Sequence, residues 1–316
     1  MFRIVAVVAA TLALTGCAAF SETAPTPDDG HIDVVTAFYP LQFVAERVGG
    51  DLVRISDLTR PGQEPHDLEL SPKQTGEAAL ADLVVYEKGL QASVDAAVKQ
   101  SAARKVDAAA VAGLEPMSHA GHDDTAHHSG ETADEEAGQA HDHGDLDPHF
   151  WQDPLKLAKV ADAVAAQLST IDPAHASTYR SNAAALDAEL TALDHEYAAG
   201  LAHCERDTIV VSHDAFGYLA RYGLYVEPIA GLSPGAEPTP ADLGRLHDLI
   251  ESDGITTVFG ERLAPAELSR TLATDMGVRT AVLDPIEGLT DQTSNDDYLS
   301  LMRANLKALE EANACH

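Results

Sequence analysis

Short apolar runs alternate with amphipathic stretches along most of this 316-residue chain. The first apolar run, Ile32–Phe38, is rich in β-branched residues and predicts a strand. Leu41–Val48 predicts a helix closed by Gly49-Gly50, and Leu52–Leu58 a second strand. Ser71-Pro72 opens a helix with a cap residue followed by proline. Leu83–Tyr86 predicts a third strand, Leu90–Ala103 a helix and Lys105–Asp107 a short strand. This β-α-β-α order favours a parallel sheet flanked by helices. Asp153-Pro154 then starts a helix to about Thr170, and Asp172-Pro173 starts a longer one to about Ala199. Tyr179, Ala183, Leu186, Leu190, Leu193 and Tyr197 form the apolar stripe of that longer helix, at three- and four-residue steps. The α/β grammar resumes with strands at Thr208–Val211, Leu224–Ile229, Thr256–Phe259 and Arg279–Leu283. Helices are predicted at Phe216–Tyr222, Pro240–Ser252, Pro265–Met276 and Asp297–Ala312. The fold expected is α/β, with two lobes, each a mostly parallel sheet flanked by helices, joined by one long backbone helix. The N-terminal lobe is expected over 31–172, the linking helix over 173–200 and the C-terminal lobe over 201–316.

Residues 118–146 break the pattern. They lack an apolar period and read as a disordered surface loop inserted into the first lobe. His119, His122, His127, His128, His141 and His143 lie in this tract among Asp and Glu. A tract of imidazole and carboxylate suits a transition metal and is expected to act as an auxiliary metal-binding segment. The formal charge of −31 argues against nucleic acid as a partner.

The first residues read as a targeting segment. Arg3 precedes an apolar run, Ile4–Leu14, too short to span a bilayer as a mature helix. Leu14-Thr15-Gly16-Cys17 resembles a bacterial lipobox. Residues 1–17 are therefore expected to be a lipoprotein signal peptide with its lipidation site, Cys17, and 18–30 a flexible tether. That places the mature protein outside the cytoplasm, at the cell surface or in the periplasm, anchored to the membrane by lipid. Lipidation of Cys17 leaves Cys204 and Cys315. An even remainder in an exported protein suggests one disulfide. Two unlinked thiols, or Cys315 as a metal ligand beside His316, are the rival readings.

Four segments put ligand-type residues at strand ends or loop starts: Glu64-Pro65-His66, Asp147-Pro148-His149, Ser212-His213-Asp214 and Leu283-Asp284-Pro285. Ligands of open α/β sheets bind outside the carboxyl ends of strands. His66, His149, His213 and Asp284 would make a tetrahedral set of three nitrogens and one oxygen, with bonds of about 2.0–2.2 Å. His31, His175, His195, His203, His247 and His316 sit at chain ends, beside Cys204 or on helices, and are not expected to be primary ligands.

Glu64–Gln74 (EPHDLELSPKQ), Asp147–Pro154 (DPHFWQDP), Ser212–Leu219 (SHDAFGYL) and Gly231–Pro240 (GLSPGAEPTP) are similar to the signatures of the zinc/manganese solute-binding proteins of ABC importers. The resemblance covers nearly the whole mature chain in the expected order. It implies a metal held between two lobes and delivered to a membrane permease driven by a cytoplasmic ATPase. It also implies Zn(II) as the transported ligand, a monomer, and no enzymatic activity. By position, the resemblance makes His66, His149 and His213 ligands. Asp284 matches the carboxylate used by some members, and Glu64 and Glu261 are the substitutes for the fourth place. Manganese and iron members carry Glu at the third place; His213 here favours zinc, as does a His-rich loop. A manganese or iron solute-binding protein is the alternative. A zinc metalloenzyme with a three-histidine site is a more distant one: the chain has no His-Glu-x-x-His helix, and Asp284 would fill the place of a reactive water. The resemblance also includes members with adhesive roles, for which no residue here speaks.

Overall fold

The computed structural model describes residues 30–117, 146–232 and 234–316. The expected signal peptide with Cys17, the expected tether up to Asp29 and all six histidines of the 119–143 tract lie outside the described residues. In the first lobe β1 (Ile32–Thr36), β2 (Val53–Asp57), β3 (Leu83–Tyr86) and β4 (Arg104–Asp107) form one parallel sheet in the order β2-β1-β3-β4. Helices α1 (Tyr39–Gly49), α2 (Pro72–Leu80), α3 (Ala92–Gln100) and α4 (Ala108–Ala112) connect or follow these strands. Ser71 and Gln74 make the reciprocal capping box that starts α2.

A two-stranded antiparallel ribbon, β5 (Glu115–Pro116) with β6 (Leu146–Asp147), pairs the two sides of the His-rich segment. The chain then runs through α5 (Pro154–Ile171) and α6 (Ala176–Gly200). The expected long helix is present as α6, preceded by a 3-10 turn over Pro173–His175. The predicted stripe from Tyr179 to Tyr197 is buried, and α6 packs along α5 and also against α1 and α9 (Tyr298–Asn313).

The second lobe holds β7 (Thr208–Val211), β8 (Tyr225–Pro228), β9 (Thr257–Gly260) and β10 (Arg279–Val282) in a parallel sheet ordered β10-β9-β7-β8. Helices α7 (Pro240–Ser252) and α8 (Glu267–Met276) belong to this lobe. Phe216–Tyr222, expected as a helix, forms a 3-10 helix over Gly217–Tyr222, ended by Gly223 at φ +86°.

Burial on both faces explains the continuous apolar strands. In β7, Ile209 and Val211 face a core shared with the first lobe, α5, α6 and α9, whereas Val210 faces a smaller cluster with Leu246, Ile250 and Leu272. The inner core is continuous from Val34 and Val85 through Trp151 and Leu190 to Phe259 and Leu283. Across it, Tyr298 Oη donates to the Trp151 carbonyl at 2.5 Å, and Tyr218 Oη to the Asp147 carbonyl at 2.8 Å. Cys204 and Cys315 form a disulfide. It ties the end of α9 to the turn after α6, where the Glu205 and Arg206 N–H groups also donate to the Asn313 carbonyl.

Candidate metal centre

The carboxyl ends of strands from both sheets converge on one buried point. His66 comes from the loop after β2, His149 follows β6, His213 follows β7, and Glu287 lies in the loop after β10. His149 and His213 are fully buried, Glu287 is 1% exposed and His66 4%. Glu287 Oε1 lies 3.2 Å from His66 Nε2 and 3.4 Å from Nε2 of both His149 and His213. Nε2 of His149 and His66 are 3.4 Å apart.

Each donor is aimed by its own neighbours. Glu64 accepts hydrogen bonds from the His66 and Asp67 N–H groups at 3.1 and 3.3 Å, which curls the loop at His66. Gln91, itself buried, donates to the Pro65 carbonyl at 3.1 Å and to Thr59 Oγ1 at 3.0 Å. Asp147 Oδ1 accepts from the His149 N–H at 2.9 Å and lies 2.9 Å from His149 Nδ1. Glu261 Oε1 lies 2.5 Å from His213 Nδ1 and also accepts from Ser212 Oγ. A carboxylate on Nδ1 fixes the ring and turns the Nε2 lone pair to the centre.

The electrostatics follow. Burial pulls the His149 imidazole down, but Asp147 and Glu287 outweigh it and push it up to about 9. Burial likewise acts on His213, and Glu261 and Glu287 push it up to about 10. Burial would raise Glu287, yet the imidazoles of His66, His149 and His213 hold it well below the usual carboxylate range. His213 Nε2 and Glu287 Oε2 are buried without a hydrogen-bond partner.

Those spacings fit a small tetrahedral cation. Four donors bonded at about 2.0–2.1 Å stand about 3.3–3.4 Å apart along the tetrahedron's edges. Three imidazoles and one carboxylate suit zinc, whereas manganese prefers more oxygen.

The three histidines singled out in the sequence come together, and Asp284 does not join them. The fourth donor in the cluster is Glu287, which the sequence reading missed. Asp284 is buried beside it, but its Oδ1 accepts from the Ile286 N–H at 2.8 Å and its Oδ2 lies 3.0 Å from Arg262 Nε. Neither substitute takes the fourth place in the cluster. Glu261 sits behind His213, and Glu64 Oε1 is 3.9 Å from His66 Nε2. Cys315 is in the disulfide and is not a free thiolate ligand. The available signal was a second carboxylate three residues beyond Asp284, in a loop framed by Pro285 and Gly288.

Two parallel-sheet lobes with buried donors at facing strand ends define a binding protein that encloses a small ligand. The chain belongs to the ZnuA family, described as zinc-uptake complex component A, periplasmic, whose model matches residues 34–312. It is 34% identical over 287 residues to the zinc-binding lipoprotein AdcA of Streptococcus pneumoniae, covering 90% of this chain and 56% of that protein. The chain thus spans about half the length of the AdcA relatives it matches. It is 31% identical to the high-affinity zinc uptake system protein ZnuA of Bacillus subtilis, covering 97% of this chain and 96% of that one. Among solved structures, the Zn(II)-bound ZnuA-like domain of S. pneumoniae AdcA superposes with a TM-score of 0.72 at 31% identity. That match covers 90% of this chain and 99% of the domain.

Proposed function

We propose that this protein captures Zn(II) between its lobes with His66, His149, His213 and Glu287, and delivers it outside the cytoplasm to an ABC importer. The carrying observation is the donor cluster: four buried ligand atoms within 4.8 Å of one another, with Glu287 Oε1 3.2–3.4 Å from all three imidazole nitrogens. The finer parts of the reading are a permease with a cytoplasmic ATPase as recipient and a lipid on Cys17 as anchor. Zinc uptake is also the activity named for the family and for the B. subtilis relative. A fourth protein donor fills the place a catalytic zinc keeps for water, which argues against hydrolytic chemistry. The His-rich tract is assigned the task of raising the local zinc concentration. Unchanged loading and transfer rates after deletion of 119–143 would remove that role.

The test is metal analysis of the purified mature protein with zinc and manganese in competition. One tightly held zinc per chain is expected, with manganese unable to displace it. Manganese outcompeting zinc, or no tight zinc at all, would overturn the proposal. His213→Glu should shift the preference toward manganese by adding an oxygen donor.

A further inference from the structure

Glu287 reaches the imidazoles through a turn held in an unusual conformation. Ile286 has φ +60°, a left-handed backbone that a β-branched residue rarely adopts, and its side chain is fully buried. Such a residue persists only where its surroundings over-determine it. Here they do so from three sides. Asp284 Oδ1 accepts the Ile286 N–H at 2.8 Å. Asp284 is itself fixed: Arg262 Nε lies 3.0 Å from Oδ2, and Asn305 bonds both its backbone N–H and its carbonyl, at 2.9 and 2.6 Å. From the first lobe, Trp151 Nε1 and Gln152 Nε2 both donate to the Pro285 carbonyl, at 2.7 and 2.6 Å.

We propose that Asp284 is a positioning residue of the metal site: it holds Ile286 left-handed, thereby aims Glu287, and touches no ion itself. The inference rests on the four-donor reading above. Without the Asp284 side chain, Ile286 relaxes toward negative φ. The following peptide then rotates, and the Glu287 carboxylate leaves the three imidazoles. A bound cation keeps three nitrogens and loses its only protein oxygen.

The test measures zinc affinity by chelator competition, and the visible spectrum of the cobalt-substituted protein, on the full mature chain. Asp284→Ala and Glu287→Ala should each weaken zinc binding about 10–100-fold. The double variant should bind within about threefold of Glu287→Ala alone, since both changes remove the same oxygen donor. The cobalt spectrum of Asp284→Ala should match that of Glu287→Ala. Adding Ile286→Gly to Asp284→Ala should recover affinity, because glycine takes left-handed φ without a cap. Asp284→Asn keeps an oxygen for the Ile286 N–H and should retain most of the affinity, which guards against a misfolded alanine variant. Losses that multiply in the double variant, no loss in Asp284→Ala, or Asp284→Asn as weak as alanine would each overturn the proposal. Wild-type affinity in Glu287→Ala would instead overturn the four-donor reading.

Discussion

Zinc binding should expel two protons, and its pH dependence should be correspondingly steep. In the metal-free protein Asp147 and Glu287 hold the His149 imidazole up to about 9, against its burial. Glu261 and Glu287 hold His213 up to about 10, again against burial. Both rings are therefore protonated at neutral pH. The carboxylates on Nδ1 leave Nε2 as the position a cation must take, so each bound ion displaces one proton from each ring. Apparent affinity should rise about 100-fold per pH unit up to about pH 9, then about tenfold per unit until His213 has also titrated. Competition against a chromophoric chelator between about pH 6.5 and 8.5, with calorimetry in two buffers of different ionisation enthalpy, counts the protons directly. Asp147→Asn removes one of the carboxylates holding the His149 proton and should flatten the slope toward one. A slope near zero, with no buffer dependence of the heat, would refute the argument, because the rings would then already be neutral.

The same shifts fix a sign for stability. Histidines raised on folding stabilise the metal-free protein fully below their unfolded value near 6.5, and this contribution fades as pH rises through about 9 to 10. Glu287 is depressed on folding, so its contribution is present above about 4.5 and is lost only as pH falls through its lowered value. Urea midpoints of the metal-free protein should therefore decline between about pH 7 and 10. The zinc-loaded protein, already without those protons, should not share that decline.

Two further outcomes test the frame around the site. Replacing Cys204 and Cys315 with serine opens a link across 111 positions. It should cost at most about 4–5 kcal/mol in urea unfolding, and less to the extent that the Glu205 and Arg206 bonds to Asn313 hold the same two segments together; no measurable loss would show the bridge to be dispensable. Gln91→Leu removes the donors to Pro65 and Thr59 and frees the His66 loop, so zinc affinity should fall about tenfold; unchanged affinity would show that Glu64 alone suffices to place His66.

Most of the scaffold was legible because its signals are local. TIVV and LVVY are four-residue runs of β-branched and large apolar residues without polar alternation, which is how strands covered on both faces read. Ser71-Pro72 and Asp153-Pro154 mark helix starts by cap chemistry that acts within a few residues. Where a segment is short, its local signal does not resolve the element. The β5–β6 ribbon has two residues per strand and no pattern to detect. Gly217–Tyr222 offers too few residues to separate an α-helix from the tighter 3-10 form. Asp147 stands two residues before His149, so its partnership with that ring is a local feature. Glu261 is 48 residues from His213, and only the sheet order brings them together.

The exchange of Asp284 for Glu287 has a different cause. Position after a strand favours the first carboxylate, and on that criterion Asp284 is the better candidate. What separates the two is charge and backbone. Arg262 stands against Asp284, so that carboxylate already has its cation, while Glu287 Oε1 faces three imidazoles and Oε2 has no hydrogen-bond partner. The turn that brings Glu287 inward requires an isoleucine in left-handed φ, which every local preference disfavours. The Asp284 carboxylate caps it directly, and contacts from Arg262, Asn305 and the opposite lobe's Trp151 and Gln152 hold Asp284 and Pro285 in place, at separations of 21 to 134 residues for the last three. A donor set by long-range constraint on a locally unfavourable backbone is the kind of residue that reasoning from neighbours misplaces. Its dependence on the opposite lobe also gives the site a specific property. Trp151 and Gln152 lie two and three residues after His149, so the segment that supplies one nitrogen donor also holds the turn that supplies the oxygen.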